Sequence, residues 1–257
     1  MKTLKIIVLL IPIFILIYST CFEPFQLENS FHEVTIGKSG KSLLVAHVTD
    51  LHTVGLGTIE LKLMDSIRAN KPDIIFITGD IATPGGTTKG YEDVLSKFNS
   101  PFGVYFVQGN WEYWEPIKEL GIILKETNIV DLTNKNIHIK DDLWLVGLDD
   151  EQAGSPDVEV YEKVPKESKI LSMFHSPVLF KSIKNKTNLA FAGHSHGGQI
   201  RLPFFGSLWT PEGTGKYDSG WYEEGEAKMY VSRGIGNSIL PIRFNCKPEV
   251  AFIKINY

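Results

Sequence analysis

Cysteine is nearly absent: Cys21 and Cys246 are the only two in 257 residues. Cys21 ends an apolar leader, which argues against a structural disulfide, and so few thiols leave the redox compartment undecided. Positive charge is not in excess either. With 26 Lys and Arg against 30 Asp and Glu, the net charge of −4 leaves no footprint for nucleic acid. No internal repeat and no low-complexity linker interrupts the chain. No histidine follows residue 196; the seven are His32, His47, His52, His138, His175, His194 and His196.

What is present suits one well-buried α/β domain, or at most two small ones. The leader MKTLKIIVLLIPIFILIYSTCF places Lys2 and Lys5 ahead of an uncharged run from Ile6 to Phe22. Spanning a bilayer takes roughly 17–25 apolar residues, so this run is at the short end for a membrane helix. It has no A-x-A-like cleavage site, and Tyr18 three residues before Cys21 makes a poor lipoprotein signal. The expectation is an uncleaved anchor over residues 1–22 with a catalytic domain over 23–257. Lysines before the run and Glu23 and Glu28 after it place that domain on the outer side. The alternative is a cleaved leader and a secreted protein.

Strand and helix patterns alternate after the leader. Strands are predicted at Phe31–Ile36, Leu43–Val48, Ile74–Thr78 and Phe102–Val107, with helices at Gly57–Asn70, near Tyr91–Phe98 and at Trp114–Lys125. Further strands are predicted at Asn136–Ile139, Leu143–Leu148, Ile170–Phe174, Leu189–Ala192, Met229–Ser232 and Val250–Ile255. The polar stretch Asp149–Lys169 reads as a surface loop.

FAGHSHGGQ (191–199) carries two catalytic patterns at once. Gly193-His194-Ser195-His196-Gly197 fits the serine nucleophile elbow, and the same letters set two imidazoles one residue apart. An α/β-hydrolase follows the order serine, acid, histidine. Only His196 follows Ser195, as its immediate neighbour, so that triad cannot be assembled. The metal reading uses more of the chain. Apolar runs end at Asp50 and His52, at Asp80, at Gly109-Asn110, at His175, and at His194 and His196. Ligands gather outside the carboxyl ends of strands in α/β sheets. Residues i and i+2 on an extended segment share a face, so Asp50/His52 and His194/His196 each aim two donors at one point. Aspartate and imidazole suit Mn²⁺, Fe²⁺ or Zn²⁺, and no cysteine at the rim argues against a closed structural zinc site.

Asp50-Leu51-His52, Gly79-Asp80, Gly109-Asn110-Trp111-Glu112, His175 and Gly193-His194-Ser195-His196, in this order, resemble the calcineurin-like metallophosphoesterases. The leader, GGQIRLP and the tail resemble a membrane-anchored bacterial phosphodiesterase branch. The resemblance implies a sandwich of two central mixed β-sheets flanked by helices (α/β/β/α). It assigns Asp50, His52 and His196 to one divalent ion and Asn110, His175 and His194 to a second, with Asp80 bridging. Asp80, Asn110 and His194 would be catalytic. The implied reaction is hydrolysis of a phosphodiester or pyrophosphate bond, with a hydroxide bridging two divalent metal ions (Mn²⁺, Fe²⁺ or Zn²⁺) as nucleophile. The substrate is expected to be lipid-linked in one variant, a UDP-2,3-diacylglucosamine-type pyrophosphate. A non-catalytic metal- or phosphate-binding sensor is the other-class alternative.

One position departs from the family. Where many members carry a histidine that serves the leaving group, this chain has Trp111, which cannot donate a proton at a useful pKa. The expectation is therefore a substrate with a good leaving group. His32, His47 and His138 read as structural, Glu112 as a hydrogen-bond acceptor behind the ligands, and Asp149-Asp150 as supporting loop. Arg201, Arg233 and Arg243 are candidate substrate-binding residues, because guanidinium forks match phosphate. LPFFGSLW (202–209) and Gly220-Trp221-Tyr222 suit core packing at least as well as an apolar lip.

Overall fold

The computed structural model describes residues 2–38 and 40–257, with side chains from Leu10 onward apart from residue 39. Met1 and the side chains of Lys2 and Lys5, on which the orientation of the leader rested, lie outside the described set. The first half consists of α1 (Lys2–Cys21), β1 (Glu28–Thr35), β2 (Ser42–Val48), α2 (Thr58–Asn70), β3 (Ile74–Thr78), α3 (Thr88–Leu95), β4 (Val104–Val107), α4 (Trp111–Trp114), α5 (Leu120–Glu126) and β5 (Ile129–Asp131). The second half runs β6 (Lys135–Lys140), β7 (Leu143–Gly147), β8 (Lys169–Met173), α6 (Phe180–Ile183), β9 (Leu189–Ala192), β10 (Arg201–Leu202), β11 (Gly206–Ser207), β12 (Gly220–Glu224), β13 (Ala227–Val231) and β14 (Glu249–Asn256).

Two six-stranded mixed sheets result, in the orders β1-β14-β2-β3-β4-β5 and β12-β13-β9-β8-β7-β6. Strands β2, β3, β4 and β5 run parallel to one another, as do β7, β8, β9 and β13. Parallel strands covered on both faces read as continuous apolar runs rather than alternating ones, and β3 and β9 are buried at every position. Between the sheets lie Val45, Phe76, Val107, Leu145, Leu171, Phe191 and Ile253. The outer faces are covered by α2, α3 and α5 on the first sheet, and by Tyr161, Phe180 and Tyr217 on the second. Fully burying one Phe, Leu or Ile contributes about 1.5–3 kcal/mol, so the three apolar layers dominate the fold's stability.

Helix α2 shows how local sequence sets these elements. Glu60 Oε2 accepts the Gly57 N–H at 3.0 Å at its start, and Leu63, Met64 and Ile67 face the core. Lys71, at φ 48°, and Pro72 end it. The single helix expected over Trp114–Lys125 is instead split into α4 and α5. Pro116 disfavours the helical region for Glu115, whose ψ is 71°. β5, β10, β11 and β12 were not foreseen, and Asp149–Lys169 contains a short 3₁₀ turn, Val158–Lys163, with Val160 and Tyr161 buried.

The membrane anchor is corrected. Among the described residues no helix is long and apolar enough to cross a membrane. The outer-face location built on that anchor falls with it. The end of α1 docks on the body instead: Ser19 O accepts the Arg243 N–H at 2.9 Å, and Glu23 Oε1 accepts that of Cys246. Both cysteines are free.

Candidate metal centre

The carboxyl ends of β2, β3, β4, β8 and β9 converge on one rim, where Asp50, His52, Asp80, Asn110, His175, His194 and His196 meet. Asp50, His52, Asp80 and His196 offer ligand atoms all within 4.8 Å of one another, and so do Asp80, His175 and His194. Asp80 belongs to both groups. Its Oδ2 lies 3.1 Å from His175 Nε2 and 3.6 Å from His52 Nε2, while Oδ1 accepts the Trp111 N–H at 2.9 Å. Asn110 Oδ1 is 3.1 Å from His175 Nε2. Asp50 Oδ1 is 3.4 Å from His196 Nε2, and its carboxylate accepts the His194 N–H at 3.1 Å.

The backbone bends sharply to bring these groups together. Asp50, His52, Asp80, His194 and His196 all have φ between 40° and 67°. That left-handed region costs a non-glycine residue of order 1 kcal/mol or more and marks functional turns. Close approach of chain to chain does the rest. A Cβ on Gly109 would collide with Asp80 and His175, and one on Gly193 with Thr49 and Asp50.

Carbonyl groups behind the histidines fix their lone pairs inward. His52 Nδ1–H donates to Ala82 O at 3.0 Å and His175 Nδ1–H to Thr78 O at 2.7 Å, leaving each Nε2 free to bind. His194 donates through Nε2 to Glu212 O, which leaves Nδ1 facing His175 Nε2 at 3.1 Å. Glu112 Oε1 and Oε2 together accept the N–H groups of Asp80, Ile81, Ala82 and Gly109 at 2.7–3.0 Å, tying the Asp80 and Asn110 turns together.

Electrostatics favour cations here. Burial pushes His52 and His196 below the usual imidazole range and His194 down to about 4, so their lone pairs are open. Burial opposes charge on His175 too, but Asp80 and Asp50 carry it well above its usual value. Burial lifts Asp50 to about 7, with repulsion from Asp80 adding to it. Burial and Asp80 lift Glu112 to about 7, against the pull of its N–H donors.

The donor set itself fits divalent ions. One His175 nitrogen faces Asp80 Oδ2, Asn110 Oδ1 and His194 Nδ1, each at 3.1 Å, more lone pairs than one proton can serve. His52 Nε2 and His196 Nε2 face one another at 3.2 Å, and His196 Nδ1 is buried without a hydrogen-bond partner. A cation between such groups satisfies what hydrogen bonds leave over.

Ser195 is fully buried, and its Oγ accepts the Gly197 N–H at 3.1 Å. It closes a turn between two candidate ligands.

A calcineurin-like phosphoesterase family model matches residues 43–198, which hold all seven of these residues. The chain belongs to that family. It is 30% identical to the uncharacterized metallophosphoesterase YkuE of Bacillus subtilis, over 91% of this chain and 87% of that one. To phosphodiesterase YaeI of Escherichia coli it is 27% identical, covering 91% and 90%. TT1561 of Thermus thermophilus shares the fold, with a TM-score of 0.53 at 11% identity over 76% of this chain and 91% of that one. The chain is thus a metallophosphoesterase, a divalent-metal enzyme with the residues of a dinuclear site.

The three arginines do not join the site. Arg243 is fully buried, its guanidinium engaged by the carbonyls of Cys246, Arg233, Gly234 and Gly236. Arg233 pairs with Glu249 at 3.2 Å and Arg201 with Asp218 at 2.8 Å. None of them lines the cavity of about 350 Å³ that opens over the cluster. They serve structure: Gly236 N, on the loop that Arg243 gathers, donates to Asp50 O at 2.6 Å. Residues unremarked in the sequence supply the cavity walls, among them Trp114, Gln152, Glu212, Ser238 and Ile239. Asp150 is buried and accepts from Ser176 Oγ beside His175; Asp149 accepts from Tyr113 Oη at 2.7 Å. His32 and His47 lie between the sheets against Tyr230, and His138 packs on Trp144, away from the cluster.

Proposed function

We propose that the chain hydrolyses a phosphodiester or pyrophosphate bond at two divalent ions held by these residues. The observation that carries the reading is the position of Asp80 Oδ2, common to both ligand groups. Asp50, His52 and His196 would hold one ion and Asn110, His175 and His194 the other. Divalent ions so held lower the pKa of a shared water and clamp phosphoryl oxygens during in-line displacement. Asn110 can bind through Oδ1 while its NH₂ donates to a phosphoryl oxygen. Aspartate, asparagine and imidazole ligands suit Mn²⁺, Fe²⁺ or Zn²⁺.

Trp111 narrows the substrate. Its ring stands edge-on to His52 at 5.2 Å between centroids and lines the cavity, where an indole offers no proton of useful acidity. A leaving group that departs unaided, a pyrophosphate or an activated ester, suits such a site. Hydrolysis of bis-p-nitrophenyl phosphate with added Mn²⁺ tests the reading. Turnover abolished in Asp80→Ala is the expected result; no turnover in the unsubstituted protein under any of the three metals would refute it.

A further inference from the structure

A second cavity of about 320 Å³ adjoins the one above the cluster, and His196, Trp209, Pro211, Ser238 and Ile239 line both. Its remaining wall is Ser195, Gly198, Gln199, Ile200, Leu208 and Leu240. No acid, lysine or arginine is among these residues, in a protein where 22% of residues are charged. The cavity is small for a ligand site and of a size for one chain or ring.

Its mouth is apolar too. Leu208, Trp209, Ile239 and Leu240 are each more than half exposed, and Phe204 and Phe205 stand almost wholly in solvent beside them. The LPFFGSLW stretch is therefore not core, whereas Trp221 and Tyr222 do pack against core clusters. Contiguous exposed apolar surface is uncommon unless something covers it.

The walls are held in place without an occupant. Gln199, at φ 55°, accepts the Ser238 N–H through Oε1 at 2.7 Å and donates from Nε2 to Leu240 O at 3.1 Å. Leu208 N donates to Ile200 O at 3.1 Å, and Phe244 N to Gln199 O at 2.9 Å. One side chain thus fixes the 238–240 loop opposite the 208–209 loop. A cavity built this way loses little ordering entropy on binding.

We propose that this cavity receives an apolar substituent of the phosphate ester whose phosphorus sits over the metal cluster. The inference rests on the hydrolase reading above and adds the substrate class: an ester with an alkyl chain or ring on one side. The shared wall decides for substrate over any other occupant. His196 is a candidate ligand on one face and lines the apolar cavity on the other, so a group bound there lies next to the reacting phosphate.

Calorimetry of the full chain with Mn²⁺ and methyl, butyl or octyl phosphate tests this first. Each buried methylene strengthens binding roughly fourfold, so octyl phosphate is expected to bind at least about a hundredfold more tightly than methyl phosphate. Below micellar concentrations, p-nitrophenyl alkyl diesters should show kcat/KM rising with chain length. Leu208→Asn and Leu240→Asn, both at exposed positions, should each cut the octyl-to-methyl ratio about tenfold in both assays. Equal affinity and equal turnover for methyl and octyl compounds would overturn the inference while leaving the hydrolase reading intact. Failure of every diester to turn over would remove both. If sedimentation showed these two variants dissociating a dimer with the octyl-to-methyl ratio unchanged, the apolar mouth would be an interface between copies and the inference wrong.

Discussion

The Glu112 carboxylate accepts the backbone N–H of Asp80 at 2.9 Å. Through that bond and three more, one buried side chain holds the turn that carries Asp80 against the turn that carries Asn110. Its task is positioning, since four donors already occupy its oxygens.

Glu112→Gln keeps the shape and removes half of that capacity, because an amide NH₂ cannot accept from N–H groups. Partners behind metal ligands typically matter 10–100-fold in metal affinity or activity. Mn²⁺ affinity by calorimetry is expected to fall by about that factor, with the far-ultraviolet circular dichroism of the folded chain retained. Unchanged affinity would show that the two turns hold themselves.

Trp111→His restores a proton donor at the cavity wall. General acid catalysis is typically worth about 10²–10⁴-fold. Hydrolysis of an alkyl diester is expected to rise by at least tenfold relative to a p-nitrophenyl diester. The ratio of the two kcat/KM values is the readout, and a ratio that stays put would mean Trp111 does not limit the leaving group.

Glu249 links stability to pH. Burial would raise its carboxyl, but Arg233 and the Tyr230 hydroxyl outweigh that and draw it down to about 2. A carboxyl lowered on folding stabilises above its unfolded value of about 4.5, and the contribution fades as pH falls toward 2. Glu249→Gln is therefore expected to lose about 1–3 kcal/mol at pH 7 and less at pH 4. Urea unfolding of both proteins at the two pH values checks this. The same loss at both would place the effect in packing.

The meeting of the candidate ligands was legible because an apolar run ahead of each cluster announces a strand, and the ends of those strands share one rim. The pairing of residues two apart on an extended segment did not hold: Asp50, His52, His194 and His196 sit in left-handed turns, and His194 and His196 fall in different ligand groups. What was not legible depends on distant segments meeting. Arg243 looked available for phosphate until the carbonyls of residues 233–246 closed round it. Trp209 and Ile239 are distant in sequence and line one cavity because the Gln199 side chain holds the 238–240 loop while Ile200 O accepts the Leu208 N–H.

Metal content by mass spectrometry, on the purified chain loaded with Mn²⁺ and passed through a desalting column, bears most directly on the shared-carboxylate centre. The unsubstituted protein is expected to retain two ions per chain, and Asp80→Ala to lose both, since each group of ligands needs that carboxylate. Retention of the full complement by Asp80→Ala, or of no ion by the unsubstituted protein, would contradict the account.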